Sequence, residues 1–93
     1  MSKYKFKITV EPVDLPQGAD AEPLSFEVEN HDDILSIVKR LQKRPDLTPG
    51  SAEPLGVGLK LFGEVMMGQK QNPLFATLLP HFGEFMQRLK QQQ

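Results

Sequence analysis

The chain has no cysteine. That excludes disulfides, thiolate nucleophiles and cysteine-ligated metals together, and it fits a reducing cytosol. Tryptophan is absent too, and histidine occurs only twice, too few for the repeated His and Glu ligands of a carboxylate-bridged metal bundle. Neither sign of charge dominates: 11 Lys and Arg against 12 Asp and Glu leave a net charge of -1. No global field therefore draws in nucleic acid or an anionic membrane surface. No apolar run approaches the roughly 18 residues that a membrane span needs. The first residues alternate lysine with apolar side chains instead of forming a signal-peptide core. These absences predict a cytoplasmic protein. What is present is ordinary for a globular chain: 93 residues, 39 % hydrophobic and 25 % charged, enough for one core and no second.

Two stretches alternate with period two. In Tyr4-Lys5-Phe6-Lys7-Ile8-Thr9-Val10 the apolar residues face one way, and Lys3, Lys5, Lys7 and Thr9 face the other. Leu24-Ser25-Phe26-Glu27-Val28-Glu29 repeats the pattern with Leu24, Phe26 and Val28 inward. Both read as half-buried strands. Pro12 ends the first, and the segment to Pro23, with its prolines, Gly18 and acids, is a surface loop by composition. An antiparallel pair keeps a constant index sum, and a sum of about 34 sets Val10 opposite Leu24, Ile8 opposite Phe26 and Phe6 opposite Val28. The same register sets Lys7 against Glu27 and Lys5 against Glu29. Both faces agree on it, and a slip of one residue would turn the apolar face outward.

Everything after residue 30 reads helical. Asn30 is the expected N-cap, accepting from the backbone of Asp33, of a helix over about 31–44. Its apolar positions are Ile34, Ile37, Val38 and Leu41, and Pro45 stops it. Ser51, or Thr48 with Pro49 following, caps the next helix at about 51–68, where Pro54 fits because it lies in the first turn. That helix carries the most apolar run of the chain, Leu55 to Met67, broken only by Lys60 and Glu64. Leu55, Leu59, Phe62 and Met66 form one stripe, and Val57, Leu61 and Val65 extend it around the axis. A helix so apolar is expected to be wrapped on several sides. Asn72-Pro73 opens a third helical region at about 73–90, which Pro80 either kinks or splits. Gln91 to Gln93 form a frayed tail. The order is β-β-α-α-α: an α+β domain, residues 1–93, with the hairpin (3–29) covered on its apolar face by helices.

A two-stranded sheet is marginal in water and leaves two open edges. No third strand follows, so dimerisation through hairpins into a four-stranded sheet, or through the glycine strip that Gly56 and Gly63, seven apart, form on the Leu55–Met67 helix, is one expected resolution.

Candidate chemistry is sparse. His31-Asp32-Asp33 groups an imidazole with two carboxylates, but acids are favoured at a helix start in any case. His81 and Glu84 stand at i, i+3 without further ligands. Ser25 and Ser36 have no recognisable base. Gly56-x-Gly58-x-x-x-x-Gly63 lacks the Lys-Ser/Thr ending of a phosphate loop and lies inside a helix; close helix packing accounts for it better. No catalytic, cofactor or metal residue is assigned. The basic cluster Lys39, Arg40, Lys43 and Arg44 is the main partner-facing charge signal. Residues 1–46 carry nine acids against seven bases, and no aromatics interleave the cluster, which argues against nucleic acid. Met66 and Met67 join this candidate interaction surface because methionine adapts to partners, although a core role competes for both.

The phrases Pro23-Leu24-Ser25-Phe26-Glu27-Val28-Glu29-Asn30-His31-Asp32-Asp33-Ile34-Leu35, Gly58-Leu59-Lys60-Leu61-Phe62-Gly63-Glu64-Val65-Met66 and Phe82-Gly83-Glu84-Phe85-Met86 resemble those of a small bacterial family known only as a domain of unknown function. The resemblance spans nearly the whole chain and implies a bacterial domain of about this length, with no activity attached. The hairpin-then-helix opening is also similar to the start of a ubiquitin-like β-grasp, whose later strands are missing here. The expected function is a non-enzymatic interaction or structural module, working as a homodimer or as a small partner of a larger protein. The alternative is a small-molecule binding domain with its ligand around Phe6, Phe26, Phe62 and Phe82. An enzyme using His31 or His81 stands third.

Overall fold

The computed structural model describes residues 3–17 and 22–91. Gly18 and Asp20 of the loop, and Gln92 and Gln93 of the tail, lie outside the described residues. The order is strand β1 (Tyr4–Val10), strand β2 (Leu24–Asn30), helix α1 (Ile34–Leu41), helix α2 (Ala52–Met67), a 3-10 turn at Pro73–Phe75 and helix α3 (Leu79–Gln91). The hairpin is antiparallel, and its register pairs Tyr4 with Asn30, Phe6 with Val28, Ile8 with Phe26 and Val10 with Leu24. This is the register predicted from the two faces. On the outer face Lys5 Nζ lies 3.8 Å from Glu29, and the hydroxyls of Thr9 and Ser25 lie 3.1 Å apart.

Helix α1 begins later than expected. Asp33, not Asn30, is its N-cap: its carboxylate accepts from the Leu35 N–H at 3.1 Å and from the Ser36 hydroxyl at 2.9 Å. Asn30 instead ends β2 and is buried, 1 % exposed. Helix α1 also ends earlier, at Leu41, so Lys43 and Arg44 belong to the turn after it. Ser51 holds the N-cap position of α2, but its side chain does not cap the helix; its hydroxyl donates to the Thr48 carbonyl at 2.7 Å. At the third helical region the break is a split. Asn72 accepts from the Leu74 N–H at 2.9 Å and starts the 3-10 turn. Pro80, which has no N–H to give, then sits in the first turn of α3. Gln91 closes α3 and is not frayed from it.

The core is thin. The buried apolar residues are Ile34, Leu41, Ala52, Met66 and Leu89. Leu41, Ala52 and Leu89 form one cluster, with Leu55, Leu59 and Met86 packed against it. Gly56 brings α1 close to α2: a Cβ there would lie 2.8 Å from Cγ2 of Val38 and 3.2 Å from Cδ1 of Leu41. This part of the glycine strip is therefore occupied within the chain. Gly58 meets nothing within 4 Å, so close packing does not account for it.

Two expectations of coverage are only half met. The helices half-bury Phe6, Ile8 and Val28 of the hairpin and leave Tyr4, Val10, Leu24 and Phe26 exposed. Helix α2 is not wrapped all round either, since Phe62 and Val65 remain exposed. The radius of gyration is 15.5 Å, against roughly 12 Å for a compact domain of this length.

The two glycine environments separate in a stability measurement. Gly83→Ala, in open space within α3, is expected to raise stability by about 0.5–1 kcal/mol through helix propensity. Gly56→Ala is expected to lower it by about 1–3 kcal/mol, because the stiff β-branched Val38 has to give way. Urea unfolding midpoints of the two variants, shifted in opposite directions from the parent, check both.

Candidate functional site

The polar residues that the fold concentrates lie where the hairpin meets α2. Three consecutive side chains, the last of β2 and the two that follow it, reach one stretch of that helix. Asn30 Nδ2 donates to the Lys60 carbonyl at 3.0 Å, and its Oδ1 accepts from the Asp32 N–H at 3.1 Å. His31 Nδ1 lies 2.8 Å from Glu64 Oε2, and the His31 N–H donates to the other Glu64 oxygen at 3.4 Å. Asp32 Oδ2 lies 2.6 Å from Lys60 Nζ. Lys60 and Glu64, four apart on one face of α2, thus receive Asp32 and His31 from the segment that follows β2. The hydrogen bond from Lys60 holds the Asp32 carboxyl below its ordinary value of 3.8, partial burial opposing it.

Beside this latch lies a cleft of about 360 Å³. His31, Asp32, Lys60 and Glu64 form its polar rim, and Leu59, Met67, Phe82 and Met86 its apolar floor, with bare backbone at Gly63. A second cavity of about 340 Å³ adjoins it, sharing Asp32, Leu59, Lys60 and Met86 and adding Arg40 and Lys90. Together they form a groove along the α2–α3 seam, apolar below and charged above. Among the described residues, no serine, threonine or tyrosine hydroxyl lines either cavity. The His31–Glu64 pair can orient an imidazole, with no hydroxyl among those lining residues for it to activate.

The other expected residues scatter. Arg44 is not a surface cation: its side chain is 7 % exposed. It grips Asp46 with two bonds, Nε to Oδ1 at 2.9 Å and Nη2 to Oδ2 at 2.7 Å, and Nη1 donates to the Leu89 carbonyl of α3 at 2.7 Å. The same pairing holds Asp46 below the ordinary carboxylate value. Met66 is wholly buried and cannot meet a partner, whereas Met67 is exposed. Lys39, Arg40 and Lys43 are exposed. Of the four phenylalanines expected around a ligand, Phe62 and Phe82 stack edge to face at 6.0 Å, with Phe75 at 6.0 Å on the other side. Of the four, Phe82 alone lines the groove; Phe6, Phe26 and Phe62 line neither cavity. His81 and Glu84 are exposed on α3, and among the described residues no group of three or more metal-ligating side chains converges. Among the described residues, no helix is long and apolar enough to cross a membrane.

Lys60 and Glu64 are the residues of this candidate site that sequence reasoning passed over. Two charges four apart on an otherwise apolar helix were the available signal.

These elements define a small α+β domain in which a hairpin is latched to a helical body by charged side chains. The chain belongs to the family described as the domain of unknown function DUF3861, which has a solved structure and matches residues 4–91. A crystal structure of a protein of unknown function from Pectobacterium atrosepticum is 38 % identical and has a TM-score of 0.83. The match covers 98 % of this chain and 100 % of that one. No curated protein matches.

The latch has a sign that pH reads. Because the folded-state value of Asp32 lies below 3.8, its contribution to stability is present above that value and lost as pH falls through the folded value. Unfolding midpoints measured from about pH 7 down to about pH 2 are expected to fall less for Asp32→Asn than for the parent. Parallel curves would show that the Lys60 contact contributes nothing.

Proposed function

We propose that this chain is a non-enzymatic protein-interaction module that works as a homodimer. The observation that carries this reading is surface. The chain exposes 7487 Å² of solvent-accessible area, whereas a compact monomer of 10.5 kDa exposes about 5,400 Å². The excess, about 2,000 Å², exceeds the roughly 800 Å² that each partner contributes to a standard interface. A thin core and exposed apolar residues on two separate elements agree with it. The same surface suits a second role as a small partner of a larger protein. The cysteine-free composition supports a reducing bacterial cytoplasm as its compartment.

A ligand-binding reading rests on one specific observation, the groove with its apolar floor and charged rim. It predicts a rise in melting temperature in a metabolite screen, since binding the folded state alone raises apparent stability. Catalysis through His31 has less support, because no serine, threonine or tyrosine hydroxyl is among the described groove residues.

Sedimentation equilibrium at about 50 µM is expected to give twice the mass of 10.5 kDa. The same mass is expected for His31→Ala, whose side chain serves the latch and the cleft. A monomer at several hundred micromolar, with no second protein bound after gentle recovery from lysate, overturns the module reading.

A further inference from the structure

We infer that the apolar face of the hairpin is the seam between two copies of this chain, each hairpin lying on the open flank of α2 of the other copy. The inference rests on the homodimer reading above. It assigns the surface, which that reading leaves open.

Charge decides against the strand edges. Side-chain parity requires outer faces to meet outer faces when two strands pair. Joining two β1 edges therefore sets Lys3, Lys5 and Lys7 against the same lysines of the other copy. Joining two β2 edges sets Glu27 and Glu29 against glutamates. Like charges directly opposite are destabilising, and a row of lysines is a known guard on an open edge. Only β1 against β2 matches opposite signs. That pairing is head to tail, leaves a free edge at each end, and propagates instead of closing.

Area then decides what the hairpin face meets. Tyr4, Phe26, Val10 and Leu24 are 48 %, 38 %, 59 % and 59 % exposed. One face of a seven-residue, two-stranded hairpin covers about 24 Å by 10 Å, far less than the roughly 800 Å² per partner of a stable interface. Two hairpins packed face to face would bury that patch alone. Laid on α2, each copy buries a second apolar strip as well. Gly58, Phe62 and Val65 stand at i, i+4 and i+7 and form one stripe along the helix. Phe62 and Val65 are 41 % and 51 % exposed, and Gly58 leaves open space around its backbone. A strand face can lie flat on such a flank. A two-fold arrangement covers both surfaces of both copies at once.

The absence of cysteine makes the test clean. Leu24→Cys and Val65→Cys chains, mixed and oxidised, are expected to form a disulfide-linked pair of one chain of each kind. Phe26→Glu and Val65→Glu, with unchanged circular dichroism, are each expected to weaken the dimer by roughly tenfold or more in sedimentation equilibrium. Lys7→Glu is expected to change it by less than about twofold. A parent protein that is dimeric, but whose mixed cysteine chains stay unlinked, overturns this seam and leaves the homodimer reading standing. So does a dimer that survives either glutamate substitution. A monomeric parent removes the homodimer reading itself, and the seam with it.

Discussion

Asn30 ties the hairpin to the helices, and the relation of every later element to the strands passes through it. Its side chain is almost fully enclosed, so each of its polar atoms has to find a partner inside the protein. The amide nitrogen finds the Lys60 carbonyl and the amide oxygen finds the Asp32 N–H. Aspartate would keep the acceptor and lose the donor; leucine would lose both. The buried bond fixes where the chain leaves the sheet. The pairs His31–Glu64 and Asp32–Lys60, each joining a half-buried residue of α2 to one that stays in solvent, fix the direction in which it leaves. Pairs open to solvent on one side contribute modestly to stability on their own, so much of the value of these two lies in geometry.

Helix α2 serves three faces at once. One face, through Gly56 and Met66, is sealed against the rest of the chain. A second, through Lys60 and Glu64, receives the latch and borders the cleft. The third, through Gly58, Phe62 and Val65, is open. A helix with charges at only two positions between Leu55 and Met67 suits this arrangement, because no face is purely solvent. The open flank and the cleft lie on opposite sides of the helix axis. Assembly through one therefore leaves the other free for a ligand, and the two functional readings do not compete for the same surface.

The hairpin was legible because two independent patterns, apolar on one face and charged on the other, agree on one register. The order of the helices was legible for a similar reason: apolar spacing and proline placement point the same way. Helix ends were not. Asn30 and Asp33 are equally good caps by residue type, and what separates them is a carbonyl on α2, distant in sequence, that claims Asn30. Arg44 sits among three other cations and looks like them, yet Asp46 and the end of α3 draw it inward. Met66 and Met67 were distinguishable in principle, since only Met66 continues the stripe of Leu55 and Leu59. The full wrapping expected of α2 follows correctly from its apolarity. It fails within one chain because 93 residues do not supply enough cover.

The hairpin is a lever. Its side-chain hydrogen bonds to α2 come from Asn30 and His31 at its root, and its far end, where Val10 and Leu24 are exposed, stands about 24 Å away. A tilt of about 10° at the root would carry that end about 4 Å sideways, close to the spacing between neighbouring strands. Small changes in the latch are thus magnified at the tip into a lateral displacement of about one strand's width.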